Sequence, residues 1–186
     1  MCDRRYMKRL ICALPHVCSS VYEARRFSTA FALACFDLLR VDEFTSDSKS
    51  ISGTHVLCFN DISFHKINNK EELYVKVCSS KTDQRHSSTT LAICEQDDQA
   101  FCPVRLIKSY IEISHQALGF QLFIHIDGLN LTRYQFGAVL QRTLSFCGVP
   151  GYFRSHSFRI GRASEAKHLG IHDELIKKWG RWSSSA

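Results

Sequence analysis

The chain has 186 residues, of which 45% are hydrophobic and 23% charged, and its formal net charge is +6. These values exclude a disordered tail, a collagen-like fibre and a coiled coil, and the length is enough for one domain with its own core. Residues 1–40 and 150–186 carry +4 each, whereas residues 41–149 carry −2. A polyanionic partner would therefore meet both ends of the chain, although a scatter of solvated lysines and arginines explains the charge equally well.

The N-terminal part predicts two helices. Residues 4–14 form a short amphipathic pattern that we expect to end at Pro15. Ser20 and Glu23 then have the S-x-x-E spacing of a capping box, which opens a second helix that we expect to continue to about Leu39. Residues 27–39 are nearly all apolar, so this second helix is predicted to be buried at the centre of the domain.

A small antiparallel sheet is predicted next. Three segments are β-branched or alternate between apolar and polar residues: His55–Phe59, Leu73–Val77 and Thr89–Cys94. The polar residues 79–88 would connect the last two strands.

Helices return in the last part of the chain. Pro103 suits the first position of a helix reaching about Ala117, and Thr132 suits the N-cap of a helix that ends at Gly148. The remaining predicted elements are a short extended piece over Gln121–Ile126, a helix from Ser155 to Gly170 and a helix over His172–Gly180. The expected fold class is thus mainly α (α+β), one helical domain with a three-stranded antiparallel sheet.

The cysteines and histidines do not favour a disulfide framework or a metal site. Nine cysteines occur without any Cys-x-x-Cys spacing, which predicts reduced thiols in an intracellular compartment. His168 and His172 have the i, i+4 spacing of a metal pair, but Gly170 interrupts the helix between them and no third ligand is near. No apolar run is long enough to span a membrane, and Pro15 breaks the apolar run that follows the basic N-terminus, so a signal peptide is not expected.

Several residues at the element boundaries could surround a phosphodiester. Arg40 follows the buried helix, Lys81 lies in the connection between two strands, and His156 and Arg159 are one helical turn apart. The planar guanidinium can donate two hydrogen bonds to phosphate oxygens, and a lysine can protonate a leaving oxygen. Each residue also has an ordinary interpretation: a cation at a helix C-terminus for Arg40, an exposed turn for Lys81 and a chance spacing for His156 and Arg159.

Two tryptophans near the end of the sequence complete the set. Trp179 and Trp182 flank Arg181, which makes an aromatic and basic cluster, although tryptophan is most often a core residue.

Five segments together resemble a known family. In chain order they are Phe31–Glu43, Ser80–Gln84, Asp127–Phe136, Ser155–Gly161 and Gly180–Ser183. In their order and spacing the sequence resembles the catalytic domain of the tyrosine recombinases, also called phage integrases, in the variant found in eukaryotic mobile elements. The resemblance extends from about Tyr6 to Ala186.

The resemblance implies roles for particular residues. Arg40 and Arg159 would hold the non-bridging oxygens of the scissile phosphate, and Lys81 would protonate the leaving 5′ oxygen. His156 would assist proton transfer and contact the phosphate. Trp182 matches the family position where His or Trp contacts a phosphate oxygen. No metal or other cofactor is implied, because the arginines neutralise the developing charge.

Two further positions qualify this assignment. Trp179 is a weaker candidate than Trp182 for the phosphate contact. Glu43 matches an acidic residue of the first arginine segment, which is expected to orient its neighbours and not to react.

The nucleophile of the family is a tyrosine that follows the Gly-Arg-Trp-Ser segment. The sequence reaches Ala186 without one, and its six tyrosines all precede the His-x-x-Arg segment. We therefore expect residues 1–186 to be a catalytic domain without the family's N-terminal DNA-clamping domain and C-terminal nucleophile segment, unable to complete strand cleavage alone.

Three functional interpretations stay open on the sequence. The chain is part of an enzyme that performs site-specific DNA recombination or integration through a phosphotyrosine intermediate, or a catalytically dead DNA-binding domain derived from a mobile element, or an interaction domain that retains an unused motif. The expected partner is double-stranded DNA, with a homo-tetramer on DNA at full length and no membrane. The expected location is the nucleus, or the cytoplasm if the protein is prokaryotic.

Overall fold

A computed structural model describes residues 4–36, 39–49, 56–78, 88–114, 120–149, 153 and 155–181. Within these ranges the helices are α1 Arg4–Val17, α2 Val21–Phe36, α3 Val41–Phe44, α4 Pro103–Ile113, α5 Arg133–Phe146, α6 Ser155–His168 and α7 Asp173–Gly180. The strands are β1 Ile62–Ile67, β2 Lys70–Val77 and β3 Thr89–Cys94. The prediction of a mainly helical domain with a small antiparallel sheet is confirmed.

The first helix does not end where the sequence predicts. Pro15 lies inside α1, which continues to Val17, and the backbone N–H of Cys18 still donates to the Leu14 carbonyl at 2.9 Å. Proline removes one N–H but leaves its own carbonyl and the residues after it able to continue the last turn. The expected end at Pro15 is therefore wrong by two residues.

The second helix begins at its predicted cap. The Ser20 hydroxyl accepts the backbone N–H of Glu23 at 3.1 Å, while the Glu23 carboxylate accepts from the N–H and hydroxyl of Ser19. The helix ends at Phe36, before the predicted end near Leu39, and Leu39 and Arg40 are not helical. As predicted, most of α2 is buried in the core.

The sheet has the strand order β1-β2-β3, and both pairs are antiparallel. The predicted strand at His55–Phe59 is wrong in its described part: Cys58 forms one isolated bridge with Gln121, and Phe59–Asp61 is a 3₁₀ turn. The true first strand follows at Ile62 and joins β2 through Asn68 and Asn69, whose φ angles are 49° and 62°. Asparagine tolerates this left-handed conformation, which suits a two-residue hairpin.

The helices after the sheet agree more closely with the sequence. Thr132 caps α5 as predicted, since its hydroxyl accepts the Gln135 N–H at 3.2 Å. The α4 helix begins at Pro103 as predicted but ends at Ile113, with Ser114 as its C-cap. The extended piece after it contributes two isolated bridges, at Gln121 and Ile124.

A cluster of phenylalanine rings joins four helices in the core. Phe136 of α5 lies with its ring centroid 5.3 Å from Phe31 of α2, 5.3 Å from Phe44 of α3 and 6.0 Å from Phe158 of α6. All four rings are almost fully buried. Because Phe44 and Phe158 stand beside Glu43 and Arg159 in the sequence, this cluster also fixes the positions of those two charged residues.

Candidate functional site

Arg40 is the residue at which the chain turns into the short helix α3. Its backbone is extended (φ −74°, ψ 144°), and its carbonyl accepts the N–H of Glu43 at 2.9 Å. Its own N–H donates to Glu43 Oε2 at 2.7 Å. Glu43 therefore supplies the carboxylate half of a capping box, which holds the Arg40 backbone at the N-terminus of α3.

The Glu43 carboxylate is the buried anion of the site. Glu43 is only 6% exposed, and its Oε2 also accepts from Arg181 Nη2 at 2.7 Å. A buried carboxylate needs such partners, because removing it from water is costly unless it is paired and hydrogen-bonded. One oxygen atom therefore ties the backbone of Arg40 to the side chain of Arg181.

Arg159 approaches the same place from α6. Phe158, next to it in the sequence, packs with its ring centroid 5.6 Å from that of Phe31, which anchors α6 on α2. Arg159 is 3% exposed, and its Nη2 donates to the Gly180 carbonyl at the end of α7. The second arginine of the predicted site is thus linked to the residue that precedes Arg181.

Arg159 lies among charges of both signs. Burial and, to a smaller extent, the Arg40 and Arg181 guanidinium groups together lower the pKa of Arg159 to about 10, while the Glu43 and Asp42 carboxylates oppose the shift. The guanidinium still carries its proton at neutral pH. The guanidinium groups of Arg40 and Arg181 therefore lie near enough to Arg159 to interact with it electrostatically, and arginine side chains grouped in this way can bind an oxyanion with several acceptor oxygens.

The other predicted site residues are described in part. Lys81 and Trp182 lie outside the described residues. His156 has its backbone in α6, three residues before Arg159, and its side chain is not described. Trp179, the alternative to Trp182, is on α7 and is 46% exposed.

Arg181 is the site residue that the sequence reasoning missed. Within the Gly180–Ser183 segment, the sequence predicts a phosphate contact for Trp182 only and no role for Arg181. The available signal was charge complementarity, since Glu43 lies in the first arginine segment and Arg181 in the last. Sequence separation hides such a pair, because the two residues are 138 positions apart.

Among the residues that the structure describes, no group of three or more His, Cys, Asp or Glu side chains could hold a metal ion. Of the helices described, none is long and apolar enough to cross a membrane.

Comparison with solved structures assigns the fold. The chain has a tyrosine-recombinase-like fold. It superposes on the XerH site-specific recombinase bound to difH substrate in a pre-cleavage complex with a TM-score of 0.70 and 15% identity, covering 97% of this chain and 46% of that one. For XerH bound to a palindromic difH substrate in a post-cleavage complex, the TM-score is 0.68 at 14% identity, with coverages of 96% and 45%.

The chain thus spans less than half the length of these recombinases. The sequence matches no protein-family model, and no curated protein sequence matches it.

Proposed function

We propose that this domain binds duplex DNA and holds a scissile phosphate through Arg40 and Arg159 in a strand cleavage and rejoining reaction. The observation that carries the proposal is that three segments far apart in sequence meet in a fold shared with DNA-bound recombinases. Glu43 binds the Arg40 backbone and the Arg181 side chain, and Arg159 binds the carbonyl of Gly180, the residue before Arg181. Arg159 is nearly excluded from water, so its attraction for a phosphate oxygen is screened far less than that of a surface arginine.

The chemistry assigned to this site is phosphoryl transfer to a tyrosine. The tyrosine hydroxyl loses its proton to His156 as its oxygen bonds to phosphorus, the bond from phosphorus to the 5′ oxygen breaks, and that oxygen takes a proton from Lys81. We also assign phosphate contacts to His156 and Trp182. The two arginines stabilise the negative charge that grows on the non-bridging oxygens in the transition state. The proposal assigns no nucleophile among the six tyrosines of the sequence.

DNA binding is tested by the salt dependence of affinity for a short fluorescein-labelled duplex of random sequence. The logarithm of the association constant should fall linearly with the logarithm of the salt concentration, and Arg40→Ala or Arg159→Ala should each reduce the slope by about 1. Arg105→Ala is the matched control, because Arg105 is a half-exposed arginine on α4 that pairs with Glu95, the residue after β3. A flat salt response of the wild-type protein, or slopes of the site variants equal to the control, would contradict the proposal.

Strand cleavage is tested with the full-length gene product and nicked duplexes that carry a site selected from random DNA. Arg159→Ala should abolish covalent protein–DNA adducts, whereas Arg105→Ala should retain them. Lys81→Ala should slow cleavage at an ordinary 5′ oxygen but not at a 5′ sulfur, because a thiolate leaves without a proton. Equal slowing with both leaving groups would refute the role of Lys81 as the proton donor.

A further inference from the structure

The end of α7 is fixed in an unusual backbone conformation. Arg181 follows this helix with φ 51° and ψ 44°, the left-handed region, and its N–H donates to the Lys178 carbonyl at 3.2 Å. Glycine is the usual residue at such a helix end, and a residue with a Cβ is disfavoured there by about 1–2 kcal/mol. Holding Arg181 in this conformation therefore requires compensating contacts, one of which its side chain makes.

That contact is the carboxylate of Glu43, and it is largely shielded from water. The Arg181 side chain is 18% exposed to solvent and the Glu43 side chain is 6% exposed. Arg181 Nη1 is buried and has no hydrogen-bond partner among the described residues, so only the Nη2 side of the guanidinium is occupied by Glu43. Such a pair differs from an exposed salt bridge, because breaking it leaves a buried charge without its partner.

Arg40 and Arg159, the two arginines proposed to hold the phosphate, are each hydrogen-bonded to this pair or to the residue beside it. Glu43 Oε2 accepts the backbone N–H of Arg40, and the Gly180 carbonyl accepts from Arg159 Nη2. A displacement of Arg181 would thus be transmitted to Arg40 through Glu43 and to Arg159 through the adjoining peptide.

We propose that Arg181 is a positioning residue that aligns Arg40 and Arg159 for one phosphate. This inference rests on the proposed function of those two arginines. Arg181 acts by holding Glu43 and the end of α7. Lysine at this position would preserve the charge but not the planar fork that reaches a carboxylate in a fixed orientation.

The test measures inorganic phosphate binding by NMR, following the Nε–Hε resonance of Arg159, which is assigned by its loss in Arg159→Lys. Arg181→Met should weaken phosphate binding about tenfold, the effect expected for one charge-assisted hydrogen bond, and Arg181→Lys should weaken it by several-fold despite its charge. Both variants should also shift the Arg159 resonance before phosphate is added. Lys178→Met, which removes an exposed charge on the same helix, should change the affinity by less than about twofold.

Glu43→Gln separates positioning from simple charge. Removing a negative charge beside an anion site should tighten phosphate binding if only electrostatics acts, whereas loss of alignment should weaken it. Combining Arg181→Met with Glu43→Gln should then weaken binding no more than the worse single variant, because both changes break one link. Circular dichroism of each variant shows whether the fold is retained. If Arg181→Met does not fold, the phosphate affinities of Glu43→Gln and Arg181→Lys still test the positioning role.

The possible results are distinct. Arg181→Lys at wild-type affinity together with tighter binding by Glu43→Gln would overturn the positioning role and leave the proposed function intact. No phosphate-dependent shift of the Arg159 resonance in the wild-type protein would instead refute the phosphate site itself, and the positioning role with it.

Discussion

The phenylalanine cluster leads to a quantitative prediction for Phe136→Ala. Phe136 is fully buried and faces the rings of Phe31, Phe44 and Phe158 at centroid distances of 5.3, 5.3 and 6.0 Å. Truncation of a buried phenylalanine costs about 3–5 kcal/mol, and each lost aromatic pair contributes about 0.5–1.5 kcal/mol of that total. We expect a loss near the upper end, because three pairs disappear together.

Urea unfolding followed by circular dichroism measures this loss. With an m-value of about 2–3 kcal/mol/M, a loss of about 5 kcal/mol lowers the unfolding midpoint by roughly 1.7–2.5 M. Phe146→Ala is the matched control on the same helix, since Phe146 is exposed and stacks only on His16 among the described rings. We expect the control to lose no more than about 1.5 kcal/mol, the value of one aromatic pair.

The same variant also tests the link between packing and the site. Because Phe44 and Phe158 adjoin Glu43 and Arg159, a cavity at Phe136 should shift the Arg159 Nε–Hε resonance even in protein that remains folded. If Phe136→Ala is no more destabilising than Phe146→Ala, the reasoning that this cluster holds the four helices together is refuted. An unchanged Arg159 resonance would show that the site is positioned independently of the cluster.

Three smaller changes should have local effects. Thr132→Ala should cost about 1 kcal/mol in urea unfolding, because the hydroxyl that accepts the Gln135 N–H is lost, and a neutral result would contradict its capping role. Asn69→Val should destabilise the β1–β2 hairpin by about 1–2 kcal/mol whereas Asn69→Gly should not, and equal stabilities would disprove the left-handed turn. Burial raises the pKa of Cys18 to about 11, so at pH 8 iodoacetamide should alkylate the exposed Cys12 well before Cys18, as followed by mass spectrometry. Alkylation of Cys18 should increase only as the pH approaches that pKa. Alkylation of Cys18 before Cys12 would contradict its burial.

The elements predicted well from the sequence are those specified by local signals. Thr132 caps α5, Pro103 opens α4, and Thr89–Cys94 is a strand with the predicted bounds. In each case a side chain or a fixed φ angle acts on backbone groups within one turn or strand, so the neighbouring residues are sufficient. The arginine segments were likewise visible, because Arg40 and Arg159 stand in short recognisable patterns.

The errors occurred where distant contacts compete with local preference. The apolar residues near Leu57 resemble a strand, yet the Leu57 N–H donates to the Glu43 carbonyl and the Leu57 carbonyl accepts the Leu122 N–H. The strand itself begins at Ile62. The polar composition of β1 concealed it, because much of its surface is exposed at the edge of the sheet. Pairing with β2 stabilises β1 in a way that its own sequence does not predict.

By itself the sequence determined the helical class of the domain, the caps and turns of its best elements, and a resemblance that points to a set of phosphate-binding residues. Only the tertiary structure decided that Glu43 joins the Arg40 backbone to the Arg181 side chain, with the Arg159 guanidinium hydrogen-bonded to the neighbouring Gly180 carbonyl. The reason is physical: a cap is satisfied within a few residues, whereas a buried ion pair between residues 138 positions apart exists only after the core has brought α3 and the end of α7 together.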